Sequence, residues 1–394
     1  MLEGVVTWAE IDLDAIEYNV QSMKRFVGES VEVFAVVKAN AYGHGAVPVA
    51  QAAVRAGAER LAVHRTIEGL ELRKAGLQAP ILVMGYTPVD GARLAVEARL
   101  TPSVISLEFA RELAEQARLA GIRAPYHVKV DTGMSRNGLL PEEVLPFVQA
   151  ANALPGLLLE GLFTQFATAD ETDRSFVYQQ LSVFNQVLAD LRQAGFEIPL
   201  VHTANSAAIA LPETHFGAVR PGLALYGLPP STEWPAPFDL RPALSLKSRV
   251  VRVRDLKPGS SISYGRTSIT DRSLRAALAP IGYGDGYPRV FSNCGSVLIR
   301  GQRAPVLGRV CMDQVIVDVS HIPGVSMEDE VVIIGKQGNE TTSVLDLAEQ
   351  AGTIQNEILT GLSQRVARLY LRQGKPIMLT ALGKGAETAP RTEF

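Results

Sequence analysis

Short apolar runs alternate with longer amphipathic segments along the first half of the chain. The runs are rich in β-branched residues, and the segments between them repeat apolar residues with helical spacing, as Leu181, Phe184 and Val187 do. Eight such strands, each followed by a helical segment, favour a (β/α)₈ barrel. An open doubly wound sheet is the alternative, but it would usually have fewer strands and a glycine-rich phosphate fingerprint. The predicted strands are Val33–Lys38, Arg60–His64, Pro80–Met84, Pro102–Ile105, His127–Val130, Leu158–Phe163, Leu200–His202 and Gly217–Arg220.

A proline-rich stretch ends this pattern. Gly227–Pro242 contains five prolines in sixteen residues, which disfavours both a helix and a central strand. We therefore predict a barrel domain at residues 1–235 and a second domain at residues 236–394. Residues 1–12 are candidates to pair with the second domain.

Apolar positions in the second part of the chain repeat every second residue and are separated by turn residues. This pattern predicts a mainly antiparallel β-domain. Two helical segments, Thr341–Ala351 and Ile354–Leu371, are predicted to follow its strands. The predicted strands are Ser248–Val253, Ala276–Ile281, Ser296–Arg300, Val306–Val310, Gln314–Val319 and Glu330–Ile334.

Composition excludes several classes of protein. The 38 Lys and Arg residues are balanced by 41 Asp and Glu residues, so no electrostatic footprint for nucleic acid is present. Two cysteines and six scattered histidines do not suggest a disulfide framework or a metal site. The chain shows no secretory signal and no membrane-spanning apolar stretch. We therefore expect a cytoplasmic enzyme of two domains that binds neither membrane nor nucleic acid.

In a barrel, functional residues gather at the carboxyl ends of the strands. Lys38 closes the first strand, where it is either a rim lysine with its ammonium in water or a Schiff-base lysine activated by desolvation. Lys129 lies at the end of the fifth strand, and Asp131 and Arg136 follow it. They form either an ordinary salt bridge or a site in which the arginine binds a substrate carboxylate. Small residues after strands seven and eight are typical of phosphate sites in barrels.

Seven segments together resemble the alanine racemase family, pyridoxal-phosphate enzymes with a barrel followed by a β-domain. They read AVVKANAYGHG, KVDTGMSRNG, HTANSAA, VRPGLALYG, ISYGRT, IGYGDGYPR and GRVCMDQ, and they occur in this order along nearly the whole chain. The resemblance implies that Lys38 carries the cofactor covalently and that Arg220 faces the pyridine nitrogen. It also implies that Arg136 binds the substrate carboxylate and that Lys129 matches a lysine often carbamylated in relatives. The residues implied in cofactor binding, several of them at the phosphate, are Tyr42, Gln165, Asn205, Ser206, Gly222, Leu223 and Asn356.

The resemblance further implies a homodimer whose active sites are shared between the two chains. Tyr264, Met312 and Asp313 match residues that are supplied across the dimer interface. A racemase must remove the Cα proton from one face and return it on the other, so it needs two bases. We expect Lys38 to serve the D-enantiomer and the Tyr264 of the second chain to serve the L-enantiomer.

Two positions depart from the family pattern. Gln165 occupies a position where relatives usually have histidine, and an amide cannot carry a charge or relay a proton as imidazole does. Asn356 occupies a position where relatives have tyrosine, which predicts a roomier and more polar substrate pocket. Alanine is the expected substrate, with serine or a broad range of amino acids as the alternative.

Two further classes remain as alternatives at this stage. Basic-amino-acid decarboxylases share the barrel, the cofactor and the β-domain, but Arg220 is an unsuitable partner for a ring that must stay protonated. A non-catalytic cofactor-binding protein is the other class, and the presence of a second domain with interface residues argues against it.

Overall fold

The computed structural model describes residues 2–234 and 237–388 of the chain. Contacts between Cα atoms divide the chain into two compact units. Residues 15–41 and 46–242 make up the first unit, called here the barrel unit. Residues 2–14, 42–45 and 243–388 belong to the second, called here the sheet unit.

The barrel unit contains a closed barrel of eight parallel strands. The strands are short and largely buried, as expected where helices cover one face of the sheet and side chains fill the other. They are β2 (Glu32–Val36), β3 (Arg60–Val63), β4 (Ile81–Val83), β5 (Thr101–Val104), β6 (Ala124–Lys129), β7 (Leu157–Phe163), β8 (Leu200–Asn205) and β9 (Ala218–Arg220).

Helices connect the strands of the barrel, and their starts and faces follow from the sequence. For example, the Ser106 hydroxyl caps one helix by accepting from the backbone N–H of Phe109 at 3.2 Å. The helices are α1 (Leu13–Val27), α2 (Lys38–Tyr42), α3 (Ala46–Arg55), α4 (Thr66–Lys74), α5 (Ala92–Glu97), α6 (Leu107–Leu119), α7 (Pro141–Asn152) and α8 (Ser175–Gln193). Both α1 and α2 have a few residues in the sheet unit. The segment α2 is a single turn with left-handed backbone angles.

A large, mainly antiparallel sheet forms the core of the sheet unit. The strand β1 (Thr7–Asp12) belongs to it, antiparallel to β10 and parallel to β20. The other strands are β10 (Leu244–Arg249), β11 (Arg252–Leu256), β12 (Ser261–Ile262), β13 (Ser268–Ile269), β14 (Leu274–Ala279), β15 (Ser296–Ile299), β16 (Gln302–Leu307), β17 (Val315–Asp318), β18 (Glu330–Gln337), β19 (Glu340–Thr342), β20 (Ala367–Arg372), β21 (Lys375–Ala381) and β22 (Lys384–Thr388). The short strands β12 and β13 form a separate hairpin, and the helices α9 (Val344–Ala351) and α10 (Gln355–Thr360) complete the unit.

The predicted fold class is confirmed: a (β/α)₈ barrel is followed by a mainly antiparallel β-structure. The predicted helix Ile354–Leu371 is wrong, because α10 ends at Thr360 and the chain then turns into β20. From Ala367 the chain pairs with β1, and this pairing overrides the local helical spacing. The predicted strand Ser248–Val253 is divided between β10 and β11, which pair with different neighbours.

The predicted domain boundary between residues 235 and 236 lies outside the described residues. Within the described residues, no helix is long and apolar enough to cross a membrane. In the same part of the chain, no group of three or more His, Cys, Asp and Glu side chains is arranged to hold a metal ion.

Candidate active site

Lys38 follows the first barrel strand and lies at the carboxyl end of the barrel. Burial lowers the pKa of its amine, and the nearby charge of Arg136 lowers this pKa further. The carboxylate of Glu68 opposes this effect without cancelling it. A lysine whose pKa is lowered has more neutral amine at physiological pH, and the neutral amine is the nucleophile in Schiff-base chemistry.

The backbone directly after Lys38 forms a left-handed turn. Ala39, Asn40 and Ala41 all have φ and ψ near +50°, a conformation that costs non-glycine residues about 1–2 kcal/mol each. The Asn40 side chain holds the turn by accepting from the backbone N–H of Ala46 at 2.8 Å, and the Ala41 N–H donates to the Val37 carbonyl at 2.9 Å. Strain of this kind persists where surrounding contacts fix the backbone, and it is common at functional sites.

Lys129 adds a second buried amine at the same end of the barrel. Burial lowers its pKa to about 8, with further lowering by the charges of Arg136, Arg220 and Lys38. Its Nζ atom lies 5.7 Å from the centre of the Phe163 ring. Four cationic side chains therefore act on one another at this mouth of the barrel, an arrangement suited to binding anions.

The loop that carries Arg136 is shaped by one carboxylate. Asp131 accepts hydrogen bonds from the backbone N–H groups of Gly133, Ser135 and Arg136 at 2.9–3.0 Å. Burial alone would raise the pKa of Asp131, but these hydrogen bonds lower it below its usual value. Asp131 is thus committed to the loop backbone, and the Arg136 side chain is left exposed.

Arg220 is the most deeply buried cation of the mouth, with 3% of its surface exposed. Its Nη1 donates to the Nδ1 of His202 at 2.8 Å and to the His202 carbonyl at 2.9 Å. Its Nη2 donates to the carbonyls of Thr164 and Thr203 at 2.7 and 3.0 Å. Burial lowers the pKa of Arg220 to about 9, so the guanidinium remains a cation at neutral pH.

Gln165 lies beside this guanidinium. Its Oε1 is 3.4 Å from the Nη2 of Arg220, at the long end of the hydrogen-bond range. The buried Gln180 fixes the local backbone, because its Nε2 donates to the Gln165 carbonyl and its Oε1 accepts from the N–H of Ala167. Gln165 therefore presents an uncharged amide at the edge of the mouth.

The loop after strand β8 and the loop after strand β9 contact each other. The buried Ser206 hydroxyl accepts from the backbone N–H of Gly222 at 2.7 Å, and the neighbouring Asn205 side chain accepts from the N–H of Ala208 at 3.0 Å. A 3₁₀ turn begins at Leu223, directly after Gly222. This is the part of a barrel where phosphate groups commonly bind.

The sheet unit carries the remaining predicted residues. Tyr264 sits on a turn between β12 and β13 with 72% of its surface exposed, next to Ser263 in a left-handed conformation with φ of 60°. Met312 is also exposed, and its carbonyl accepts from the N–H of Gly284 at 2.8 Å. Asp313 forms an ion pair with Arg365 at 2.8 Å.

Tyr42 and Asn356 belong to this unit as well. Tyr42 is buried, and burial raises the pKa of its hydroxyl to about 12, so it is a neutral hydrogen-bonding group. The glycine that follows it approaches α10 closely, since a Cβ on Gly43 would lie 2.3 Å from the Leu359 carbonyl. Asn356 lies on α10 itself.

Comparison with known proteins decides the family. Residues 11–230 match the family model "Alanine racemase, N-terminal domain", and residues 243–370 match "Alanine racemase, C-terminal domain". The chain belongs to the alanine racemase family. It is 47% identical over 366 residues to the alanine racemase of Halothermothrix orenii, covering 92% of this chain and 96% of the relative.

Solved structures agree with this assignment. The alanine racemase of Bacillus anthracis with bound L-Ala-P is 42% identical with a TM-score of 0.90, covering 95% of this chain and 97% of that one. A histidine racemase from Leuconostoc mesenteroides is 31% identical with a TM-score of 0.85, covering 93% and 98%. This fold is therefore shared by racemases that are named for different amino acids.

The structure brings together Lys38, Lys129, Arg136, Gln165 and Arg220 around the barrel mouth through their contacts and mutual charge effects. The other residues implied by the alanine racemase resemblance lie at the end of β8, on the loops after β8 and β9, or in the sheet unit. Sequence reasoning missed the buried imidazole of His202 as a partner of Arg220. A polar residue inside an otherwise apolar barrel strand is the signal that could have found it.

Proposed function

We propose that the protein is a pyridoxal-phosphate-dependent racemase that interconverts L- and D-alanine. The observation that carries this proposal is the cationic mouth of the barrel, where the lowered pKa of Lys38 coincides with a buried guanidinium at Arg220. The membership in the alanine racemase family supports the same reaction.

The residues present fit the cofactor. Lys38 would hold its aldehyde, and the Ser206 hydroxyl with the backbone of Gly222 and Leu223 would hold its phosphate. The family resemblance implies the Tyr42 hydroxyl as a further phosphate ligand. Asn205 would support this loop through its contact with Ala208. When bound, pyridoxal phosphate supplies an electron sink that stabilises negative charge at the substrate Cα.

Arg220 is proposed to face the pyridine nitrogen of the cofactor. A carboxylate at that position would keep the nitrogen protonated, whereas a guanidinium already satisfied by three carbonyls and an imidazole can only donate. A ring nitrogen without a proton is a weaker electron sink, which favours rapid reprotonation of Cα over side reactions. Arg220 therefore suits a racemase better than a decarboxylase.

Arg136 is proposed to bind the substrate carboxylate, with Lys129 controlling its orientation. The pKa of about 8 leaves about a tenth of the Lys129 amine neutral at pH 7, compared with a far smaller fraction for an ordinary lysine. A neutral amine can add carbon dioxide and lose a proton, which gives an anionic carbamate. That anion beside Arg136 would turn a repulsive pair of cations into an attractive pair of opposite charges.

Two bases on opposite faces of the substrate are proposed to move the Cα proton. Lys38 would serve the D-enantiomer, and Tyr264 from a second copy of the chain would serve the L-enantiomer. The exposure of Tyr264 and Met312 supports a role at a homodimer interface, where Asp313 would also contribute. A cytoplasmic location also stays a prediction.

Asn356 is proposed to widen the substrate range toward serine or larger side chains. It offers a donor and an acceptor and is shorter than the tyrosine of relatives. A contact of this size changes selectivity by about 10–200-fold, so a relaxed range rather than a switched one is expected. Gln165 stands where relatives usually have histidine. We expect the reaction to proceed without a titratable imidazole at that edge of the cofactor.

Exchange of the α-proton in heavy water tests the proposed reaction. The holoenzyme is incubated with a panel of L- and D-amino acids, and deuterium incorporation, optical rotation and carbon dioxide are followed. Exchange with loss of optical rotation, fastest for alanine, is the expected result. Release of carbon dioxide would indicate a decarboxylase, and the absence of any reaction would favour a binding protein.

A further inference from the structure

A chain of buried side chains runs through the barrel core from Arg220 toward the opposite end. We propose that His127 and Glu160 are positioning residues, which hold His202 in the tautomer that accepts from Arg220 and so fix the direction of the Arg220 guanidinium. The contribution of this chain to catalysis rests on the proposed function, in which Arg220 faces the cofactor.

The Arg220 end sets the direction of the first hydrogen bond. A guanidinium has donors and no acceptor. Its Nη1 lies 2.8 Å from the Nδ1 of His202, so this nitrogen must carry a lone pair and not a proton. Burial and the charge of Arg220 lower the pKa of His202 well below its usual value, so the ring is neutral and its one proton lies on Nε2.

The second hydrogen bond, between His202 and His127, determines which nitrogen of His127 carries the proton. The Nε2 of His202 lies 2.9 Å from the Nδ1 of His127. Because Nε2 donates, the Nδ1 of His127 must accept. Burial lowers the pKa of His127 as well, so its proton lies on Nε2.

Glu160 ends this chain of hydrogen bonds, and its ionised carboxylate can accept hydrogen bonds but cannot donate them. The Nε2 of His127 lies 3.0 Å from the Oε2 of Glu160, which also accepts from Nη1 of Arg60 at 2.9 Å. Burial alone would raise the pKa of Glu160, but the hydrogen bond from His127 and the charge of Arg60 lower it to about 2. Arg60 is itself anchored by Glu32 at 2.6 Å. Glu160 therefore stays an acceptor at neutral pH.

The barrel backbone is shaped to make room for this chain. In the pairing of β6 with β7, Tyr126 is opposite Leu159 and His127 is opposite Gly161, so Glu160 is an extra residue at a β-bulge. Bulges redirect a side chain that regular pairing would aim elsewhere. A Cβ at Gly161 would lie 2.5 Å from the Cε1 of His127, so the ring occupies the space that any side chain there would need.

The rings themselves have little freedom to rotate. His202 is stacked between Phe163 and Phe34, with ring centres 4.9 and 5.0 Å away. Both histidines are almost completely buried, with 1% of His127 and none of His202 exposed. If His202 carried its proton on Nδ1, that proton would point at the N–H of Arg220, and the guanidinium would have to move away. The tautomer therefore decides where Arg220 lies.

Nitrogen NMR of the holoenzyme labelled with ¹⁵N-histidine tests the proposal directly, with signals assigned by substituting each histidine in turn. We expect His127 and His202 to be neutral and protonated on Nε2. A proton on Nδ1 of His202, or a doubly protonated ring, would overturn the proposal. This readout does not depend on activity, so a protein without racemase activity would contradict the proposed function and leave the tautomer result standing.

Two substitutions at Glu160 distinguish the effect of its acceptor oxygen from the effect of its side-chain packing. Glu160→Leu removes the acceptor, and we expect mixed tautomers at both histidines and a fall in kcat of about tenfold with little change in KM, as for the loss of one hydrogen bond to a charged group. Glu160→Gln keeps an acceptor oxygen and should retain the tautomers and most of kcat. Glu115→Gln, at an exposed ion pair with Arg118, serves as the control and should behave as the wild type.

A side reaction that releases pyruvate from alanine provides a further readout. The number of pyruvate molecules released per racemisation is a ratio that does not depend on how much enzyme is folded. This side reaction would exchange the amino group of alanine for the aldehyde oxygen of the cofactor, and alanine would leave as pyruvate. We expect the ratio to rise in Glu160→Leu because Arg220 is displaced, and to stay unchanged in Glu160→Gln. Wild-type tautomers and a wild-type ratio in Glu160→Leu would show that Glu160 does not position Arg220.

Discussion

The substitution Gly161→Ala tests how tightly the barrel core is built around His127. A Cβ at this position would lie 2.5, 2.6 and 2.8 Å from three atoms of the His127 ring. Such distances are not tolerated, so the ring has to move. The φ of Gly161 lies outside the left-handed region, and the added methyl group therefore acts through the clash and not through backbone strain.

The expected loss of stability follows from two effects. Overpacking a buried core costs about 1–3 kcal/mol. Moving His127 also weakens its hydrogen bonds to His202 and to the charged Glu160, the second of which adds about 1.5–3 kcal/mol. A destabilisation of about 3–5 kcal/mol corresponds to a fall in Tm of about 10 °C for a domain of this size.

Thermal unfolding of the holoenzyme, followed by calorimetry, measures this fall. Gly195→Ala is the control, because a Cβ there meets nothing within 4 Å and the only penalty comes from its φ of +86°. That penalty is about 1–2 kcal/mol, which is a fall of a few degrees. If Gly161→Ala unfolded within about 2 °C of Gly195→Ala, the tight contact between His127 and the β7 backbone would be refuted.

Three further predictions concern the substrate mouth, Lys129 and the acid response. Asn356→Tyr should lower the ratio of kcat/KM for serine over alanine by about tenfold or more, and an unchanged ratio would remove Asn356 as a determinant of range. With ¹³C-labelled bicarbonate at a fixed level of dissolved carbon dioxide, a carbamate NMR signal should grow as the pH rises through about 8, where the Lys129 amine loses its proton, and Lys129→Ala should lack it. The pKa of Glu160 is depressed, so its contribution to stability is complete above its unfolded pKa of ~4.3 and is lost as the pH falls toward 2. The Tm of the wild type should therefore fall more steeply than the Tm of Glu160→Gln as the pH is lowered from about 5 to about 2.

The barrel could be predicted from sequence because its strands are short, apolar and regularly separated by amphipathic helices. The place of the candidate site could be predicted for the same reason, since Lys38 follows β2 after one residue and Arg220 is the last residue of β9. The segment after Thr360 was mispredicted because β20 gains its partner from β1, at the other end of the sequence. No local pattern reports a pairing partner so distant along the chain.

The series of hydrogen-bonded side chains from Arg220 to Glu160 could not be predicted for a related reason. His202, His127 and Glu160 come from three strands, and their meeting depends on strand register and on one bulge. A shift of one residue in register would turn Glu160 to the other face of the strand. The sequence contains the polar residues but not the register, and only the folded barrel brings them into contact.

The surroundings of Tyr264 could not be predicted from the sequence for a third reason. The turn that carries Tyr264 is held by contacts within one chain, including the Ser263 hydroxyl that donates to the Arg309 carbonyl at 2.5 Å. The fold of one chain leaves the Tyr264 ring exposed, and in the proposed homodimer the ring would meet a second copy of the chain. The resemblance to the alanine racemase family supplies that expectation, and the fold of one chain supplies the exposure.

The most direct test of the two-base racemase is α-proton exchange by Tyr264→Phe in heavy water. We predict that loss of the phenol hydroxyl abolishes exchange from L-alanine, while Lys38 still exchanges the α-proton of D-alanine. Exchange that is measured separately from each enantiomer, before any racemisation, gives the result. Unchanged exchange from both enantiomers would contradict the two-base scheme.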